Sequence, residues 1–166
     1  MASILDISLK AIREGIGDDG LGVTCSIYYK TKRIGEARDN GLDPGIEVDI
    51  IESSKLFFRS KIRTYNKYHR HPSLPAEQLF IRDLFILHQE EELYKRVLYK
   101  GFPILVYANS QSYDEIVNLR WNVHTPPLSR HYKWCSLEEQ IKDIIEQSNV
   151  TTYRIYRTLD DFIKWK

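Results

Sequence analysis

The densest group of chemistry-bearing side chains lies between positions 51 and 75, where Lys55, Arg59, Lys61, Arg63, Lys67 and Arg70 stand against a single acid, Glu52. That segment is +5 in a chain whose net charge is +1, which leaves the remainder at −4. On a helix, Lys55, Arg59, Arg63 and Lys67 fall at i, i+4 intervals along one ridge. Each like-charged pair there costs roughly a few tenths of a kcal/mol until solvent or an anion relieves it. A nucleic-acid backbone is one such anion, and Tyr65, Tyr68, His69 and His71 would offer stacking and hydrogen bonding beside it. The alternative is a solvated face whose charges pair with acids elsewhere, such as Asp18, Asp19 or Glu90 to Glu92.

Other groupings point to chemistry less directly. His69 and His71, with His88 or the His124 and His131 pair, offer imidazoles, yet two histidines at i, i+2 match no zinc signature. Asp39, Asp43, Glu47 and Asp49 gather around one turn and strand, where Glu47 and Asp49 share a face at period two and would suit a divalent ion. A restriction-type nuclease would need a lysine two residues after the second acid, and Ile51 stands there. Cys25 has no neighbouring histidine in sequence and falls on an apolar strand face, which argues against a thiol nucleophile. No phosphate-binding glycine loop, dinucleotide fingerprint or nucleophile elbow occurs. The sequence therefore assigns no catalytic residue, no metal ligand and no cofactor. A separate stretch holding Trp121, His124, Arg130 and Trp134 is aromatic and mixed-polar, which suits a partner-contact loop and suits a packed connector equally well.

Several classes are excluded by composition. The chain has 166 residues, 42% of them hydrophobic and 28% charged, enough for one domain with a sizeable core. A near-neutral charge removes any bulk electrostatic argument for a polyanionic or acidic partner, so such an argument must be local. The longest mostly apolar run, from Phe102 to Ala108, is far below the roughly 18 residues that span a bilayer. Asp6 and Lys10 occupy the place of a secretory h-region, so the expectation is a cytoplasmic protein without membrane contact. Cys25 and Cys135 then read as reduced thiols, and the sequon at Asn149 carries no glycan.

These side chains have to be positioned by a small set of elements. The segment 4–12 fits a strand, with Leu5, Ile7, Leu9 and Ala11 on one side, and also fits a helix capped by Ser3 and Asp6; the strand is favoured. Gly15, Gly17, Gly20 and Gly22 then suggest a loop. Alternation at Val23, Cys25, Ile27 and Tyr29 predicts a strand, residues 34–38 its hairpin partner, and 46–50 a third strand. Phe58, Ile62 and Tyr65 set a helix running to about Tyr68. A second helix from about Ala76 to Tyr99 carries Phe80, Leu84, Leu87, Tyr94 and Leu98, interrupted by Glu91. A strand at 102–107, an ambiguous segment at 113–121, a helix from Ser136 to about Gln147, a strand at 152–157 and a short terminal helix capped by Thr158 and Asp161 follow. The sum is one α+β domain, an N-terminal antiparallel β meander packed against two or three helices.

The run from Val23 to Tyr29, continuing through Lys32-Arg33-Ile34-Gly35-Glu36-Ala37 to Asn40-Gly41, resembles the opening of small uncharacterised proteins carried by bacteriophages and mobile elements. The resemblance covers about 20 residues and brings no active site with it, so no residue role transfers. What it implies is a phage or mobile-element context with no known active site; together with the absence of a catalytic motif, that leads to the expectation of a non-enzymatic binding protein in a bacterial cytoplasm. It would bind a host protein and inhibit a host defence system by occupying that macromolecule. Direct nucleic-acid binding through residues 55 to 71 is the second expectation. A third is a hydrolase or nucleotide-handling enzyme built on His69, His71 and the Glu47 and Asp49 face. The oligomeric state is left open.

Overall fold

A computed structural model describes residues 1–17, 20–39, 45–69, 74–97, 104–108, 122–124, 139, 142–143, 145–146 and 152–165. The chain is an α+β protein whose N-terminal part is an antiparallel meander accompanied by two helices, in the order β1 (Ser3–Ile4), β2 (Ile7–Gly17), β3 (Gly20–Tyr29), β4 (Lys32–Asp39), β5 (Glu47–Ile50), α1 (Lys55–Asn66) and α2 (Ala76–Val97). Then come β6 (Ile104–Ala108), β7 (Asn122–His124), β8 (Thr152–Tyr156) and β9 (Ile163–Lys164). Contacts divide it into two compact units, Met1–Glu91 with Phe162–Lys166, and Glu92–Asp161. Among the described residues no helix is long and apolar enough to cross a membrane.

In the first unit six strands lie in the order β5-β4-β3-β2-β1-β9. All neighbours are antiparallel except β1 and β9, which pair in parallel through Ser3↔Ile163 and Ile4↔Lys164. The strand reading of the first segment holds with two interruptions that alternation alone does not reveal. Leu5 and Asp6 both have positive φ (54° and 65°), the requirement of a two-residue hairpin turn, and they fold β1 back on β2. The ladder then shifts between Lys10 and Arg13, with Ala11 at φ 50°, so Ala11 is exposed rather than continuing the buried row of Ile7 and Leu9.

The glycine run is a correction. Gly15 pairs with Gly22 and Gly17 with Gly20, so this stretch continues the β2–β3 ladder instead of forming a loop. Glycine lowers strand propensity without forbidding the conformation, and a neighbouring strand that satisfies the backbone overrides that preference. β4 ends opposite Val23, and beyond that point β2 and β3 run on as a pair.

Period-two alternation works as expected in β3 and β5, while β4 carries a bulge at Ile34, so that Ile34 and Ala37, three positions apart, are both buried. Cys25, Ile27, Ile34, Ala37 and Ile50 are buried, while Glu47 and Asp49 face outward on β5. Gly35 is required by close approach, since a Cβ there would sit 2.4 Å from the Asp49 carbonyl oxygen. Both helices cover one face of this sheet. Phe57 of α1 meets Tyr29 of β3 edge-on at 4.4 Å, and Ile81 and Phe85 of α2 close over Cys25 and Ala37. Phe58, Ile62 and Tyr65 are buried at the predicted spacing, and Phe80 receives Phe58 and Tyr65 edge-on at 6.1 and 5.0 Å. Glu91, which breaks the apolar stripe of α2, is itself fully buried. Its Oε2 accepts the Ala2 N–H at 2.8 Å and its Oε1 lies 2.8 Å from the Met1 amino group.

The second unit holds a three-stranded antiparallel sheet, β7-β6-β8. The strands expected at 102–107 and 152–157 are there as β6 and β8; 113–121 lies outside the described residues. Residues 139, 142–143 and 145–146 are helical, within the helix expected from Ser136. Buried Tyr94 donates its hydroxyl to the Arg157 carbonyl at 2.5 Å. The short helix after Thr158 is a 3-10 turn, Leu159–Phe162, in which the Asp161 carboxylate accepts the N–H groups of Arg157 (2.6 Å) and Thr158 (2.9 Å). Ile163 and Lys164 then leave it as β9, a strand too short to show any sequence period.

Cys25 is 7% exposed, and burial pushes its thiol pKa up, against a smaller opposing effect of the Ala37 backbone. A raised pKa means the folded state holds this proton more tightly than the unfolded chain. The associated stability is present below the ordinary thiol range and is lost as pH rises through the raised value. In a Cys135→Ser background, Cys25 is therefore expected to react with a thiol reagent at pH 7.5 about tenfold or more slowly in native buffer than in denaturing urea. Equal rates would show that the thiol is open to solvent.

Candidate nucleic-acid interface

α1 is twelve residues long and buries one stripe, so every third or fourth position on the other side is pushed into solvent. Leu56, Arg59, Ser60, Arg63, Thr64 and Lys67 are all exposed. The expected ridge is thereby reduced and sharpened. Lys55, at its head, is occupied by Glu52 at 2.5 Å, a contact that also holds the Glu52 carboxyl below its ordinary range, by hydrogen bonding first and charge second. Lys61 lies on another side of the helix, its ammonium 5.5 Å from the ring centroids of Tyr29 and Phe57. Arg59, Arg63 and Lys67 remain, and among the described residues no carboxylate lies within 4 Å of any of them.

Arg59 and Arg63 also line a groove of about 360 Å³ together with apolar Ile46, Val48 and Ile62 and with the acid Glu77. Exposed guanidinium groups can accept a phosphate in fork geometry.

Of the acids expected from sequence to neutralise the ridge, Asp18 and Asp19 lie outside the described residues, and Glu92 pairs with Lys95 at 2.9 Å. The acid that acts is Glu52, three residues before Lys55, and Glu91 is spent on the amino-terminal residues. His69 is half-buried and stacks on Tyr65 (4.7 Å, 15°) and against Trp165 (4.6 Å). Tyr65 donates its hydroxyl to Asp83, which fixes the base of this aromatic group. Arg70 and His71 lie outside the described residues, as do Trp121, Arg130 and Trp134; His124 is placed by its backbone pairing with Leu105.

Glu47 and Asp49 stand opposite Arg38 and Glu36 in the ladder, on an exposed face of mixed charge. Among the described residues neither they nor His69 join a group of three ligating atoms close enough to hold an ion. Trp165 is the functional candidate that local sequence reading does not connect to α1, because it comes about 100 residues later and only the β1–β9 pairing brings it there.

No family model, curated protein or solved structure matches this chain.

Proposed function

We propose that this protein is a binding module whose docking face is the outward ridge of α1 and whose ligand is the phosphate backbone of a nucleic acid. The observation that carries the reading is three cations, Arg59, Arg63 and Lys67, exposed along one helix face with no carboxylate within 4 Å among the described residues, Arg59 feeling the Glu52 charge only at longer range. In a chain of net charge +1 these charges are not part of a general excess. Like charges at i, i+4 repel, and a polyanion relieves the repulsion while releasing its own counterions.

Three phosphate contacts correspond to a slope of about −2 to −3 in log K against log salt concentration. Fluorescence anisotropy with a labelled polynucleotide between low and physiological salt is expected to return that slope. Binding that ignores salt would overturn the reading.

A second reading keeps the same face and changes the partner. Leu56, 82% exposed, sits at the head of the ridge, and an apolar side chain beside cations suits an acidic surface on a host protein. It accords with the phage-like hairpin and with inhibition of a host defence by occlusion. A host protein held through nuclease digestion, and released by Leu56→Glu, would favour it over the first.

A further inference from the structure

We infer that Arg59 and Arg63 hold the terminal phosphate monoester of a nucleic-acid strand, received end-on by the groove they line; this deepens the nucleic-acid reading above and rests on it. The ridge by itself accepts any phosphodiester along its length. The groove adds what a ridge lacks, because it brings side chains of three elements around one space of about 360 Å³: Arg59 and Arg63 from α1, Val48 from β5, and Glu77 and Gln78 from the first turn of α2. That volume falls within the range of small-molecule sites, so it admits a single nucleotide and not a length of backbone. Lys67, one turn beyond Arg63 and about 6 Å further along the helix axis, belongs to the ridge and does not line the groove.

Charge decides which phosphate fits best. A terminal monoester carries about −1.5 to −2 at pH 7, whereas a phosphodiester carries a single negative charge. Two exposed guanidinium groups on one groove, with no carboxylate within 4 Å among the described residues, match the monoester. Its three free oxygens also give each guanidinium a pair to grip, which the two of a diester do not. Glu77 sets the upper limit. Its carboxylate lines the same groove, so a second or third phosphate would be repelled by it, while a sugar hydroxyl or a base amino group can donate to it. The groove therefore suits one phosphate followed by a nucleoside, and Lys67 is left to meet the phosphate of a following nucleotide.

The test compares one labelled oligonucleotide bearing hydroxyls at both ends with the same strand bearing a monophosphate at its 5′ or its 3′ end, by anisotropy at one salt concentration without divalent cations. At least one phosphorylated form is expected to bind about tenfold tighter than the hydroxyl form, in line with charge-assisted bidentate contacts. The quantity read is the ratio of the two affinities, so a general loss of polyanion binding cancels. Arg63→Lys keeps the charge and forfeits the fork, and should reduce that ratio to about twofold; the position is exposed, so the variant folds. Against the phosphorylated strand, a nucleoside monophosphate should compete better than its own triphosphate, and Glu77→Gln should erase that order. A triphosphate that competes better against the wild type, as its greater charge alone would dictate, overturns the inference. So does a free monophosphate that binds as tightly as the phosphorylated strand, which would make the nucleotide itself the ligand. Equal affinity for hydroxyl and monophosphate ends overturns this inference and leaves the polyanion reading standing. Failure of every form to bind overturns both.

Discussion

Reversing two charges together, Arg59→Glu with Arg63→Glu, is expected to lower polynucleotide affinity by about 100-fold or more at physiological salt and to flatten the salt dependence almost completely. The double substitution removes two of the three ridge cations that have no carboxylate within 4 Å among the described residues, and it sets an anion one turn from the third, Lys67. It does so at exposed positions whose side chains are not part of the core. Stability should hold or rise slightly, because the substitution replaces like-charge repulsion at i, i+4 with attraction toward Lys55 on one side and Lys67 on the other. Circular dichroism melting alongside anisotropy separates loss of binding from loss of fold. A double variant that stays folded and binds as the wild type would remove the α1 face as the site.

The largest effect on stability is expected at Glu91. Its carboxylate is fully buried and engages the first two residues of the chain, one of which, Ala2, is 2% exposed. Glu91→Ala removes the acceptor of a buried backbone N–H, leaves a cavity and deprives the Met1 amino group of its partner. The sum should destabilise the fold by about 3 kcal/mol. For a chain of this size that lowers Tm by about 6–12 °C. Glu91→Gln keeps an oxygen for the Ala2 N–H and forfeits the charge, so it should fall between the two. Melting of the alanine variant at the wild-type temperature would show that the buried carboxylate contributes nothing net.

The elements best legible from sequence are those whose side chains repeat with the period of their own backbone. Val23 to Tyr29 alternate because that strand has one face on the helices, and Phe58, Ile62 and Tyr65 repeat because α1 has one stripe on the core. The turn at Leu5 and Asp6 is not legible: Asp6 suits positive φ but Leu5 does not, and the pairing of β1 with both β2 and β9 holds it there. The glycine run misleads for the opposite reason, its local preference being overruled by a cross-strand partner. At the site, the ridge follows from i, i+4 spacing alone. Its reduction to Arg59, Arg63 and Lys67 follows from Glu52 at i−3 from Lys55 and from Lys61 lying two positions off the ridge, both of which are local facts. The support of His69 by Trp165 is not local, and no pattern within either segment announces it.

The parallel pairing of β1 with β9 also bears on how the sheet comes into being. β2 to β5 lie within the first 50 residues, and each joins its sequence neighbour, so their contacts are of short range and can form early. Ser3 must wait for Ile163, about 160 residues later, and closing so long a span costs on the order of 4–5 kcal/mol of chain entropy. During synthesis the meander can therefore assemble while β1 still presents an unpaired edge. The indole of Trp165 reaches Tyr65 and His69 only when β9 docks, so that aromatic cluster is the last part of this unit to mature.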